Sequence, residues 1–308
     1  MLTPQNPYYT WDHYLREKFH AKVYKVSLDA GFDCPNRDGT LAKGGCTYCD
    51  EGSRAVGINP KLSITEQLQE GMIRMKKKYS AQKFIAYFQA FTNTYAPTPI
   101  LKKTYDSVFH HPDVVGLSIS TRPDCVSQDT LTLLEDMAHQ KEVWLELGLQ
   151  TIRDDINQKL NRWHTYAQFE ETLARVQKKE RIKVCIHVIL GLPGETFEDM
   201  HRTIDCLSKL PIHGIKLHTF HVIDNTRMAK DYKAGKFSTF QESTYRSLLC
   251  DLLEKIPSHV VIQRVTAEAH PAKLISPRWV LDKAAFLHRL KLEFLKRNSY
   301  QGYAIKRK

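Results

Sequence analysis

Six apolar runs rich in β-branched residues, at 23–28, 84–91, 114–121, 143–151, 182–192 and 214–223, alternate with stretches of helical periodicity. That alternation predicts a parallel sheet, because parallel neighbours need a crossover connection and a helix supplies it. The helix starts are readable. Ser63-Ile64-Thr65-Glu66 is a capping box ahead of Leu68, Met72 and Met75. Thr98-Pro99 starts a helix carrying Leu101, Tyr105 and Val108, and Ser127, Thr165 and Thr196 each precede a further apolar stripe. Right-handed crossovers repeated in order curl such a sheet into a barrel or wind it open. Six units fall short of a closed eight-stranded barrel, so the expected fold is α/β, a partial (β/α)6 TIM-type barrel.

Elements flank this core on both sides. Thr10 is a plausible N-cap, and Trp11, Tyr14, Leu15 and Phe19 recur at helical spacing. They predict an N-terminal helical plug under the barrel, with a base-stacking platform as the alternative. Beyond the sixth run, a helix over 243–256, a strand over 260–265 and a helix over 279–297 predict a C-terminal α/β extension. The expected division is a core over 1–225, including the plug, and a basic extension over 226–308 packed on it.

Barrel enzymes collect their functional groups at the C-terminal ends of the strands. Polar residues stand at that end of every run here: Gln89 and Thr92, Arg122 with Asp124, Gln150, Gly191 with Glu195, and Lys216, His218 and His221. On the fourth run Glu146, Gly148 and Gln150 share one face and Leu145, Leu147 and Leu149 the other. A carboxylate and an amide opposite a leucine face are costly without partners, so Glu146 and Gln150 are expected to line a polar interior. His187 lies on the site-facing side of the fifth run; a satisfied core histidine is the competing role.

The first run leads into a loop holding Cys34, Cys46 and Cys49, with Gly39, Gly44 and Gly45 between them. A structural zinc site takes four protein ligands. Three thiolates suit a cubic iron–sulfur cluster with one iron left open, although zinc and redox roles stand if the loop is taken alone. The other cysteines, 125, 185, 206 and 250, are spread over separate elements. An odd, scattered set argues against a secreted disulfide framework. Residues 1–7 have no secretory pattern and no apolar run approaches the roughly 20 residues of a membrane helix, so a cytoplasmic protein with no membrane association is expected.

The net charge is +11, and residues 270–308 carry +8 of it. A basic end on a nearly balanced body suggests docking to a polyanion, with Lys283, Arg289, Lys291, Lys296 and Arg297 as candidate nucleic-acid contacts. A solvated basic terminus is the plainer reading.

Taken together, the three-cysteine loop, the polar second strand end, Ser120-Thr121-Arg122-Pro123-Asp124, Glu146-Leu147-Gly148-Leu149-Gln150-Thr151, Asn161-Arg162-Trp163-His164 and Gly191-Leu192-Pro193-Gly194-Glu195 resemble a radical S-adenosylmethionine (SAM) enzyme. Within that superfamily they resemble the Elp3-like branch and its YtqA-like group. The eleven residues between Cys34 and Cys46 match this group, whereas Trp163 stands where a smaller residue, often glycine, is expected.

The resemblance implies a [4Fe–4S] cluster held by Cys34, Cys46 and Cys49, with SAM on its open iron and cleaved to a 5′-deoxyadenosyl radical. It implies Tyr48 beside the adenine and Gln89 and Thr92 at the methionine amino group. Arg122, Gln150, Arg162 and His187 would hold methionine and ribose groups, with Glu146 among the cofactor-binding residues and Gly191 and Leu192 by the adenine. The implied substrate is tRNA, its wobble 5-carboxymethylaminomethyl(-2-thio)uridine converted to the 5-aminomethyl form. Lys216 and His218 would be catalytic, holding the substrate carboxylate, or would only satisfy nearby glutamates. An electron donor such as flavodoxin or ferredoxin and a downstream methyltransferase are the implied partners. The contrasting readings are a radical SAM enzyme acting on a small metabolite or protein, and a non-enzymatic nucleic-acid module with a metal site.

Overall fold

In chain order the elements of the computed structural model, which describes residues 2–50 and 58–306, begin with α1 (Trp11–Phe19), β1 (Val23–Leu28), α2 (Ile64–Tyr79), β2 (Lys83–Phe88), α3 (Thr98–Phe109) and β3 (Val114–Thr121). There follow α4 (Gln128–Ala138), β4 (Glu142–Gln150), α5 (Asp154–Lys159), α6 (Tyr166–Gln177), β5 (Ile182–Leu190), α7 (Phe197–Leu207) and β6 (Gly214–Thr219). The chain continues through β7 (Val222–Ile223), α8 (Arg227–Lys233), α9 (Glu242–Glu254), β8 (Val261–Arg264), β9 (Leu274–Ser276) and α10 (Lys283–Arg297). Arg307 and Lys308 of the basic end lie outside the described residues.

The sheet is parallel, in the order β1-β2-β3-β4-β5-β6-β8. It is the expected partial barrel, lengthened at one edge. The strand of the C-terminal extension joins it as a seventh member, Gly214 opposite Val261 and Ile215 opposite Ile262. The sixth run also proves to be two strands: β6 stops at Thr219, and β7 turns away to pair antiparallel with β9. Ser127 caps α4 with its side chain and capping boxes form at Ser63–Glu66, Thr165–Gln168 and Thr196–Asp199, whereas α3 starts at Thr98-Pro99 without a side-chain cap. The last helix starts later than expected, because 278–281 form a 3-10 turn and Asp282 caps α10.

Strand parity separates two environments. Outward residues such as Phe84, Phe88, Leu145, Leu147, Ile186 and Val188 pack on Leu101, Tyr105, Leu134, Phe169 and Ile204 of the helices in one continuous core. Each fully buried residue of this kind contributes roughly 1.5–3 kcal/mol. Inward residues at the N-terminal ends of the strands, Val23, Ile85, Trp144, Cys185 and Val261, are closed off by Trp11, Tyr14, Leu15 and Phe19 of α1. The Trp11 and Trp144 rings meet edge to face at 5.0 Å and 85°. The backbone just before the helix is pinned as well, Ile262 N donating to Tyr9 O at 2.8 Å. The aromatic helix is thus the plug, covering the N-terminal end of the barrel.

Candidate active site

The first βα loop is built to carry its cysteines at the open end. Gly39, Gly44 and Gly45 have φ of 98°, 76° and 77°, a region glycine enters without steric cost. Pro35 O accepts from Leu41 N and Ala42 N at 2.9 and 3.1 Å, and Gly45 N donates to Asn36 O at 2.8 Å, folding the loop on itself. Other elements then tie it down. Asn161 Nδ2 donates to Gly45 O at 2.8 Å, Thr47 N to Leu160 O at 2.9 Å, and Met228 N of α8 to Thr47 O at 3.0 Å.

Cys46 is buried, whereas Cys34 and Cys49 are half-exposed. Two donors aim at the Cys46 sulfur: Asn36 Nδ2 at 3.3 Å and Arg162 Nη1 at 3.7 Å. Neither was among the expected sulfur partners. Arg162 also donates from Nη1 to Tyr48 Oη at 3.2 Å and from Nη2 to Gly148 O at 2.5 Å, so one guanidinium joins the cysteine loop to β4. Burial opposes its charge, but Tyr48 and the Cys46 and Cys34 thiols hold it firmly protonated. Burial and the Arg162 and Arg122 charges keep His164 neutral, its pKa pulled down to about 2.

Arg122 lies nearby in a bidentate pair with Asp124, Nε to Oδ1 at 2.9 Å and Nη2 to Oδ2 at 2.7 Å, while its buried Nη1 has no partner among the described residues. Asp124 therefore orients the arginine, and that pairing was not foreseen. Thr92 is buried and Gln89 half-buried at the end of β2. Asn93 ties that end to β3, its Nδ2 donating to Phe88 O at 3.1 Å and Ser120 O at 2.9 Å. Gln150 closes β4 in the left-handed region, φ 72°.

Deeper in the barrel lies a polar layer with one residue from each strand of the seven-stranded sheet: Lys25, Tyr87, Ser118, Glu146, His187, Lys216 and Gln263. Glu146 is its centre. Oε1 accepts from Lys25 Nζ and Ser118 Oγ, both at 2.5 Å; Oε2 pairs with His187 Nε2 at 2.7 Å and with Lys216 Nζ. Burial works against this carboxylate, yet Lys216, Lys25 and His187 hold it well below the usual range. Burial and the Lys216 charge pull His187 down to about 4, so it is neutral. His218 sits beside it, ring centroids 5.4 Å apart.

The structure thus assembles two groups from the sequence candidates, Cys46–Tyr48–Arg162 with Gly148, and Glu146–His187–Lys216 with His218. Lys25 was missed, although it shares an inward face with Ser27 between Val26 and Leu28, the same parity signal that exposed Glu146. Leu192 packs in a small apolar cluster with Tyr48, Ile156 and Phe220. Gly191, at φ 86°, is required by crowding: a Cβ there would lie 2.5 Å from the Phe240 ring. Of the basic residues, Lys283 is bonded to Glu268, Arg289 forks onto Glu242, and Arg297 bridges Asp251, Glu254 and Glu293. Lys291 and Lys296 are exposed.

Residues 38–207 match the radical SAM superfamily and residues 212–295 the radical SAM C-terminal domain. The chain belongs to the radical SAM superfamily. It is 40% identical over 301 residues to the uncharacterized protein YtqA of Bacillus subtilis, covering 97% of this chain and 93% of YtqA. It is 28% identical to a tRNA uridine(34) acetyltransferase of Dehalococcoides mccartyi over 177 residues, 56% of this chain and 37% of that one. An N-terminally truncated Elp3 structure from the archaeon Methanocaldococcus infernus shares the fold, with a TM-score of 0.62 and 16% identity over 87% of this chain and 63% of that one.

The chain is accordingly a radical SAM enzyme whose cofactors are a [4Fe–4S] cluster and SAM. The residues present fit them: three cysteines in one glycine-bent loop, and an amide and a guanidinium aimed at a buried thiol, which as thiolate would accept both bonds. No helix among the described residues is long and apolar enough to cross a membrane.

Proposed function

We propose that the enzyme modifies tRNA in the cytoplasm, converting wobble 5-carboxymethylaminomethyl(-2-thio)uridine to 5-aminomethyl(-2-thio)uridine. The observation that carries the reading is the stacking of two polar groups in one barrel, the cysteine–arginine cradle at the mouth and a lysine-rich layer beneath it. The tRNA uridine named for one relative supports the substrate class. Bound at Cys34, Cys46 and Cys49, the cluster would bring SAM to the mouth and supply a hydrogen-abstracting radical. The carbon between amine and carboxylate carries the weakened C–H bond. Loss of that hydrogen atom and of one further electron, returned to the bound cofactors, would leave a C=N bond, and water adding there would release the two-carbon unit as glyoxylate and free the amine.

The protein's task is to bind, orient and exclude water. Arg162 and Asn36 fix the Cys46 sulfur, Tyr48 and Leu192 wall the adenine side, and Arg122, Gln150, Gln89 and Thr92 offer polar groups to the methionine and ribose. Neutral His187 and ionised Glu146 form the floor. Flavodoxin or ferredoxin is the fitting reductant, and a methyltransferase a fitting consumer of the product amine. Lys291 and Lys296, both exposed, are cations available to the tRNA backbone.

The test is anaerobic cluster reconstitution followed by mass spectrometry for 5′-deoxyadenosine and for the modified nucleoside, with and without undermodified tRNA. Cys46→Ala should abolish both products. Cofactor cleavage persisting in Cys46→Ala would sink the cluster assignment. Cleavage that tRNA neither stimulates nor couples to nucleoside conversion would sink the substrate.

A further inference from the structure

The polar layer does not balance its own charge. Glu146 is the one carboxylate in it, fully buried, with all its acceptor sites taken by Lys25, Ser118, His187 and Lys216. Lys25 and Lys216 are both cations, 15% and 4% exposed as side chains. Burial pulls the Lys25 ammonium down to about 8 against the attraction of Glu146, and Lys216 adds to that lowering, so Lys25 remains charged at neutral pH. Both histidines are held neutral by burial. The layer therefore carries a net positive charge inside a low-dielectric barrel. The neighbouring acid Glu268 also attracts Lys216, but it is bonded to two cations of its own, Arg264 and Lys283, so the surplus of positive charge remains.

Spare donors accompany that charge. Each ammonium has three N–H groups. Lys25 bonds Glu146 and Gln263 and lies over the Trp11 and Tyr87 rings, each centroid 4.6 Å away. Lys216 bonds Glu146 and Tyr87 and lies 4.5 Å from the Tyr87 centroid. Each ammonium thus has one N–H with no oxygen acceptor among the described residues. His218, two residues nearer the mouth than Lys216 on the same face, has an Nε2 shielded from solvent and without a partner among the described residues. Two residues beyond Lys25, Ser118 and Glu146 on their strands stand Ser27, Ser120 and Gly148, all small. Isolated buried charge is unfavourable unless it meets its opposite.

We propose that Lys25, Lys216 and His218 form a built anion site in the barrel, and that its occupant is the carboxylate of the substrate side chain. The occupant rests on the function proposed above; the anion site does not. Lys25 is a new member of the site, and Glu146 becomes the internal counter-ion that fixes both ammonium groups in place before substrate arrives.

The test uses the cluster-loaded enzyme in two arms. In the first, thermal unfolding is followed with iminodiacetate or its diamide at matched ionic strength, with SAM absent or saturating. The expected result is a Tm that rises with the dicarboxylate and not with the diamide, persists under saturating SAM, and is lost in Lys25→Gln and in His218→Gln. The second variant lies at the edge of the layer and keeps the test valid should the first not fold. No carboxylate-specific rise in the wild type, or an equal rise in both variants, overturns the site. A rise abolished by SAM assigns the site to the cofactor's own carboxylate and overturns the substrate assignment. In the second arm, His218→Gln should raise KM for tRNA bearing the carboxymethylaminomethyl group at least tenfold, with the loss in kcat smaller. A KM equal to that of the wild type overturns the substrate assignment. A positive first arm with no turnover of this tRNA by the wild type leaves the anion site standing and removes the tRNA function.

Discussion

Gly148→Ala adds a single methyl at the point where the two halves of the site touch. The new Cβ would lie 2.7 Å from Arg162 Nη2, a separation real Cβ atoms essentially never show, and 3.0 Å from Gln150 Nε2, tighter than nine in ten real Cβ contacts. The backbone is not the difficulty, since Gly148 is not left-handed. The guanidinium must move instead, and it is held on three sides, by Gly148 O, Tyr48 Oη and Cys46 Sγ. Overpacking costs roughly 1–3 kcal/mol, and weakening a charged hydrogen bond adds about 1 kcal/mol or more. With an unfolding entropy of about 2.1 cal/mol/K per residue, each kcal/mol moves the Tm of a 308-residue chain by about 1.5 °C. A fall of about 3–6 °C is expected. SAM affinity should fall about tenfold or more, because a displacement costing about 1.4 kcal/mol at the cofactor already accounts for that factor. Equilibrium dialysis of SAM on the reconstituted enzyme, beside thermal unfolding, measures both. The contrast is Gly214→Ala at the closed end of the barrel, where an added Cβ would meet the Trp144 ring at 2.9 Å. It should lower Tm comparably and leave SAM affinity alone. Wild-type SAM affinity in Gly148→Ala, or equal loss in the two variants, would refute the role given to Arg162.

Burial holds the Glu195 carboxyl up at about 7, against 4.5 for an ordinary glutamate, so the folded chain keeps a proton that the unfolded chain has lost. This group's contribution to stability is therefore present below about 4.5, is lost as pH rises to about 7, and is flat above. Relative to wild type, Glu195→Gln should gain roughly 1–3 kcal/mol between pH 5 and pH 8 in urea titrations, and a pH-independent difference would contradict it. At the basic end, Lys291→Ser with Lys296→Ser should reduce the slope of log affinity for tRNA against log salt by about 1–2 without moving Tm. Arg297→Ala should instead lower Tm, since its guanidinium bonds Asp251, Glu293 and Ser247. Equal salt slopes for the wild type and the double lysine variant would remove these lysines from the tRNA interface.

What the sequence disclosed and what it withheld follow from the range of the interactions involved. Strand positions, capping boxes and the two faces of β4 are local, written in the spacing of neighbouring residues, and Glu146 could be placed in the interior from its parity alone. Its partners could not, because Lys25 lies 121 positions away and Lys216 70 positions away, and parity assigns a face without naming who stands opposite. The same holds for Gly191, whose missing side chain makes room for Phe240 of the distant extension. Trp163 shows the other limit. A small residue was expected there, and the backbone explains why: φ is 55°, a conformation that costs a non-glycine residue about 1–2 kcal/mol. The indole, 49% exposed, recovers part of that through a 2.8 Å bond from Nε1 to Asn161 Oδ1. Asn161 also donates to Gly45 O, so the tryptophan is coupled to the residue that anchors the cysteine loop. A departure from the family pattern at this position is therefore tolerated by a local bond, and it leaves the neighbouring Arg162 in place at the cysteine.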